Sequence, residues 1–220
     1  MPALRLLSLI LICAVAGPAA AHPHIFVDAG LRLAVDGAGR ATGVEVTWEY
    51  DELYSLFSFE DLGLDPDYDG KLTGAELAQL DGFDLHWVPG YEGDLYLETG
   101  TGAGTGTGSR PVPLGKPEGR GVSVHQGRIR SVHFRPLPQP VPAAGLVLRV
   151  YDPTYYTSYS VALGVTAGQG CRAEVIPPDL DAADERLKAI LAEIPADQTE
   201  TDFPAVGANF ADTVVIRCAG

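Results

Sequence analysis

The segment Asp65-Pro66-Asp67-Tyr68-Asp69-Gly70-Lys71-Leu72-Thr73-Gly74-Ala75-Glu76 places oxygen donors at alternate positions of a twelve-residue stretch. Asp65, Asp67 and Asp69 supply carboxylates, Gly70 permits a sharp turn, and Lys71 offers its backbone carbonyl. Thr73 contributes directly or through water, and Glu76 has two oxygens to give. A hard cation takes six to eight oxygens on a near-spherical shell, and this is the spacing of an EF-hand calcium loop. The expectation is Ca2+ held by Asp65, Asp67, Asp69, Lys71, Thr73 and Glu76, with Leu72 packing the loop on its neighbour. The bland alternative is an acidic surface turn that binds nothing. A lone exported site of this kind is expected to be weak, with Kd on the order of 10⁻⁴ to 10⁻³ M, which favours a structural clamp over a sensor.

A second candidate depends on where the mature chain begins. Arg5 is the only charge before an apolar run from Leu6 to Ala16, followed by Gly17-Pro18 and then Ala19-Ala20-Ala21. These read as the three regions of a cleavable export signal, with cleavage after Ala21, and the run is too short for a membrane-crossing helix of about 20 residues. The mature chain is therefore expected to be exported. Cleavage would expose His22-Pro23-His24, so that His22 offers an amine and an imidazole from one residue. His24 projects to the same side about 6.6 Å along an extended chain, and such donors suit Ni2+, Co2+, Zn2+ or Cu2+. Pro23 has no amide proton, which removes the copper and nickel chelate that needs a deprotonated second amide. Further ligands would have to come from His86, His125 or His133. Two histidines that merely begin an exposed strand are the alternative.

Composition bounds the partners. Against 29 Asp and Glu stand 15 Lys and Arg, a net charge of −14 that becomes −15 once Arg5 leaves with the signal. Such a surface repels phosphate backbones, so no nucleic-acid partner is expected, and divalent cations are the natural counterpart. Cys171 and Cys218 remain in the mature chain, an even pair in an oxidising compartment, and a bridge between them would stabilise the fold by about 4 kcal/mol in the chain-entropy view. Two separately buried thiols are the competing reading. No G-x-S-x-G, H-E-x-x-H, S-x-x-K or C-x-x-C is present, and an enzyme is not expected.

The elements that must position these residues follow from periodicity. Ile25 to Val35 and Gly43 to Tyr50 alternate with period two around Asp36-Gly37-Ala38-Gly39, predicting an opening β-hairpin. Helical spacing over Asp51 to Leu64 and Gly74 to Leu80 brackets the acidic loop. Strands are predicted at Asp94 to Glu98, Val122 to His125, Arg128 to Arg135, Leu146 to Tyr151, Tyr159 to Val165 and Thr213 to Cys218. The Thr/Gly run from Thr99 to Gly108 reads as a hairpin extension, and Leu180 to Ile194 as a helix with one apolar stripe. Tyr151-Asp152-Pro153-Thr154-Tyr155-Tyr156 reads as a turn joining two strands, with Asp152 a hydrogen-bonded acceptor. The expected fold class is therefore α+β: β-rich, with sandwich-like antiparallel sheets, an inserted EF-hand-like helix-loop-helix at about 51–82 and a C-terminal helix. Residues 1–21 form the signal and 22–220 a single domain.

Five motifs in order resemble the DUF1007 family of exported bacterial proteins: His22-Pro23-His24-Ile25-Phe26, Thr47-Trp48-Glu49-Tyr50-Asp51-Glu52, the acidic loop, Tyr151 to Tyr156, and Phe210-Ala211-Asp212-Thr213-Val214 through Cys218. The resemblance implies a periplasmic component of an ABC-type transport system with a metal-handling role, and it carries over His22 and His24 as ligands. The leading expectation is a non-enzymatic accessory that binds calcium in the loop and a transition metal at the mature N-terminus, serving a membrane metal transporter. The alternatives are a calcium-stabilised adaptor module with no transition-metal role and a terminal-histidine copper oxidoreductase.

Overall fold

Two five-stranded sheets face each other across one apolar core. The computed structural model describes residues 23–100, 108–168, 170–194 and 203–219. Its strands are β1 (Ile25–Val35), β2 (Arg40–Tyr50), β3 (Leu95–Thr99), β4 (Arg110–Val112), β5 (Glu118–His125), β6 (Arg128–Pro142), β7 (Val147–Val150), β8 (Thr157–Thr166), β9 (Cys171–Ile176) and β10 (Thr213–Cys218). The helices are α1 (Glu52–Leu62), α2 (Gly74–Leu80) and α3 (Leu180–Leu191), with a 3₁₀ turn at Gly207–Phe210. Sheet A has the order β5-β6-β2-β1-β8 and sheet B the order β4-β3-β7-β10-β9.

Alternation builds the core. Val27, Ala29, Leu31 and Leu33 of β1 point inward, as do Val44, Val46, Trp48 and Tyr50 of β2, and sheet B answers with Leu95, Leu97, Leu148, Val150, Val214 and Ile216. The β1–β2 turn forms because Asp36 Oδ1 accepts from the backbone N–H groups of Ala38 and Arg40, while Gly39 takes the left-handed conformation the turn requires. The Tyr151 to Tyr156 segment carries the chain from sheet B to sheet A. Asp152 fastens it by accepting from the Thr154 N–H and hydroxyl and from the Thr157 N–H. A Cβ at Gly207 would come within 1.7 Å of the Asp152 carbonyl oxygen, so only glycine lets the 3₁₀ turn lie against this segment.

The α+β class with an inserted EF-hand helix-loop-helix is corrected. The architecture is a β-rich pair of mostly antiparallel sheets, with β1–β8 the one parallel pairing among those recorded. The three helices among the described residues are short: α1 contacts β6, α2 contacts β5, and α3 packs against the 3₁₀ turn. The flanking periodicity was real, but it reported two helices docked separately on sheet A. Sequence reading also missed β4 and β9, which are short and largely exposed, and the 3₁₀ turn, whose four residues are too few to show a period. The signal segment and most of the Thr/Gly run lie outside the described residues.

Cys171 and Cys218 are joined by a disulfide that links the paired ends of β9 and β10. The two cysteines are 47 residues apart in sequence. Closing a loop of this length in the unfolded chain accounts for about 4 kcal/mol. Denaturant unfolding of the protein with and without a reductant, and of Cys218→Ser, should show a loss of this order. A midpoint unmoved by reduction would contradict it.

Candidate functional site

Two neighbouring surfaces and one buried cluster carry the chemistry. The first surface is the acidic loop. Asp65, buried and with positive φ, accepts from the N–H of Asp69 through Oδ1 and from the N–H of Gly70 through Oδ2, at 3.0 Å each. Asp69 accepts from the Lys71 N–H, and its other oxygen lies 3.5 Å from the Lys71 ammonium. These bonds coil the loop so that one carboxylate oxygen from each of Asp65, Asp67 and Asp69 falls within 4.8 Å of the others. Leu72 reaches the edge of the core, and an open groove of about 520 Å³ separates the loop from Gln126 and Gly127 at the β5–β6 turn.

Glu76 does not join that group. Its Oε2 accepts from the Thr73 N–H and hydroxyl, its Oε1 accepts from the Asp65 N–H, and Thr73 Oγ1 accepts in return from the Glu76 N–H. This is a capping box at the start of α2. The bond from the Thr73 hydroxyl, reinforced by the backbone N–H groups, lowers the Glu76 pKa below its ordinary value. The same Thr-x-x-Glu spacing thus fits two motifs, and here it forms the helix cap.

The second surface surrounds the start of β1. His22 lies outside the described residues. His24 is exposed, donates its N–H to the Tyr156 carbonyl at 2.9 Å, and sets its ring 4.8 Å from that of Tyr156. It borders an open cleft of about 450 Å³ with Phe26, Asp51, Glu52, Leu53 and Arg128. Asp51 holds the cleft together: Oδ2 accepts from the Phe26 N–H and Oδ1 caps α1 through the Tyr54 N–H. Arg128 donates to the Tyr50 carbonyl and to Asp28, and pairs with Glu49, which is buried and also holds Arg130. His86 and His125 are exposed elsewhere and His133 is buried in the core, and among the described residues no group of three ligating side chains includes a histidine.

This geometry belongs to a recognised line of sequences: a family model described as a protein of unknown function, DUF1007, matches residues 7–218. The chain belongs to the DUF1007 family. No curated protein matches it.

Within this DUF1007 chain, sequence reading passed over the buried polar cluster on the inner face of sheet A. Ile129, Ser131, His133, Arg135 and Leu137 alternate along β6 and all point into the core, the signal that was available. Asp84 accepts from the Tyr50 and Ser131 hydroxyls, and Asp94 from the Tyr91 and Tyr159 hydroxyls through one oxygen at 2.8 and 2.9 Å. Trp48 lies opposite Ala29, and its ring reaches His133 on one side and Tyr159 on the other. Asp84 Oδ1, Asp94 Oδ1, both His133 ring nitrogens and Trp48 Nε1 have no protein partner. Arg135 donates to the Gly115 and Glu92 carbonyls and covers the Trp87 ring.

Burial pushes the Asp94 carboxyl up to about 6, against the pull of its two phenol bonds. Burial, with the Arg135 charge adding, pushes the His133 imidazole down to about 4. Their effects on stability run in opposite directions. The raised Asp94 value stabilises below the unfolded carboxyl value and loses that contribution as pH rises through 6. The lowered His133 value stabilises above the unfolded imidazole value and loses that contribution as pH falls through 4. Each effect is about 3 kcal/mol at ~1.4 kcal/mol per pH unit, so around pH 5 they nearly cancel. Melting from pH 4 to 6.5 should therefore separate the variants. Asp94→Asn should gain on the parent as pH rises, and His133→Leu should gain on the parent as pH falls. Differences independent of pH would show that neither group titrates as its burial dictates.

Proposed function

We propose that the protein is an exported accessory of divalent-metal handling, with calcium held by the acidic loop and a transition metal captured at the mature N-terminus for a membrane transporter. The observation that carries the first part is the convergence of Asp65, Asp67 and Asp69 within 4.8 Å. Three carboxylates this close repel one another, and a hard oxygen-seeking cation offsets that repulsion. Glu76 Oε1 braces the loop by accepting from the Asp65 backbone N–H. The disulfide supports an oxidising compartment, and membership of DUF1007 supports reading the His22-Pro23-His24 start as the family's own.

A second reading is a calcium-stabilised adaptor without transition-metal chemistry, resting on the three aspartates alone. Two titrations separate the readings. Calorimetry should find calcium binding with Kd on the order of 10⁻⁴ to 10⁻³ M, abolished in Asp67→Asn. Heat unchanged by that substitution would remove the loop from the proposal. Nickel, cobalt, copper and zinc titrated into chain beginning at His22 should bind, and His24→Ala should weaken the best of them by about tenfold or more, ~1.4 kcal/mol. Equal affinity before and after would leave the adaptor reading.

A further inference from the structure

The outward face of α1 is apolar where water should favour polar residues. Leu53, Leu56 and Phe57 occupy positions i, i+3 and i+4 of one stripe and are 57%, 46% and 55% exposed. Phe26, 53% exposed, extends the stripe across the cleft it shares with Leu53. The opposite face of α1 buries Ser55 and Phe59, so the helix is docked by one side and bare on the other. Single exposed apolar residues are ordinary, but four large ones together, Phe26 and Leu53 lining one cleft and Leu56 and Phe57 on the same stripe as Leu53, mark an interaction surface.

The charges around the stripe specify what covers it. Glu52 stands at one end and Glu60 and Asp61 at the other, all exposed, and α1 has no basic residue in its last turn. Acids in the last turn oppose the helix dipole, so they do nothing for the stability of α1 itself. Arg128, the cation at the cleft, is already committed to Asp28 and Glu49. A second copy of the chain packed stripe to stripe would bring these acids against their own kind. An anionic lipid surface would be repelled by the rim and by the net charge of −14. We propose that this face docks an amphipathic helix of another protein whose apolar stripe is flanked by Lys or Arg. Leu53, Leu56, Phe57 and Phe26 form the seat, and Glu52, Glu60 and Asp61 set orientation and encounter rate. This surface adjoins the His24 cleft through Phe26 and Leu53, but its seat uses neither the acidic loop nor a histidine ligand.

The test uses the processed full chain and two synthetic helical peptides with the same Leu/Phe stripe, one flanked by Lys and the other by Glu. Fluorescence anisotropy should show the Lys-flanked peptide binding at low salt, with affinity falling steeply as salt rises and the Glu-flanked peptide failing to bind. Phe57→Ser should weaken binding by about tenfold or more, and the double change Glu60→Lys with Asp61→Lys should do the same. All three side chains are exposed, so the melting temperature of each variant should stay near the parent's and excludes misfolding as the cause. Three results overturn the proposal: equal binding of both peptides, self-association of the parent that Phe57→Ser abolishes, or binding to phosphatidylglycerol vesicles in preference to the peptide.

Discussion

The guanidinium of Arg128 is the joint on which one end of the molecule depends. From the first residue of β6 it reaches the Tyr50 carbonyl at the end of β2, the Asp28 carboxylate on β1 and the buried Glu49 carboxylate. Three adjacent strands are thereby tied where the chain leaves the sheet for α1. A buried carboxylate is costly unless its lone pairs are filled, and Arg128 and Arg130 together fill those of Glu49. Asp51 completes the arrangement by holding the start of β1 and the start of α1 at once. The His24 cleft, the bare stripe of α1 and the entry to the acidic loop are all placed by this one charged knot.

The interior shows a second economy of charge. Asp94 and His133 sit in the same aromatic cluster, linked through Trp48 and Tyr159, and burial drives both toward their neutral forms. A carboxylic acid and a neutral imidazole in the folded core replace a carboxylate and an imidazolium in the unfolded chain. Folding near pH 5 therefore moves a proton between groups without drawing one from solution. The Asp94 and His133 contributions oppose each other in their pH dependence, while Asp84 in the same cluster, likewise pushed up by burial, acts in the Asp94 direction.

How far the sequence disclosed this depends on the range of the interactions involved. The β1–β2 hairpin, α2 and β10 were legible because period-two and helical alternation are local and their burial follows directly. The cysteine pair and the Asp65, Asp67 and Asp69 convergence were legible too, since each follows from residue type and spacing. The capping-box role of Glu76 was not, because Thr-x-x-Glu fits a loop position and a capping box equally and the loop spacing drew the eye first. The α+β expectation failed for a related reason: helical periods around a loop do not say whether two helices pack on each other or on a sheet. Asp84, Asp94 and His133 lie far apart in sequence, and no local pattern announces that Tyr50, Ser131, Tyr91 and Tyr159 will close around them.

The order of strands in sheet B carries a consequence for how the molecule comes into being. β10 is late in the sequence yet central in the sheet, lying between β7 and β9 and burying Val214 and Ile216 completely. Every strand of sheet A has been made by Thr166, so that half can assemble while the chain is still being synthesised. Sheet B must wait with a vacant middle until residues 213 to 218 arrive, and its inner face stays wet until then. A chain made from its amino end thus becomes whole only at the last moment, when β10 slots home and its cysteine meets the one waiting on β9.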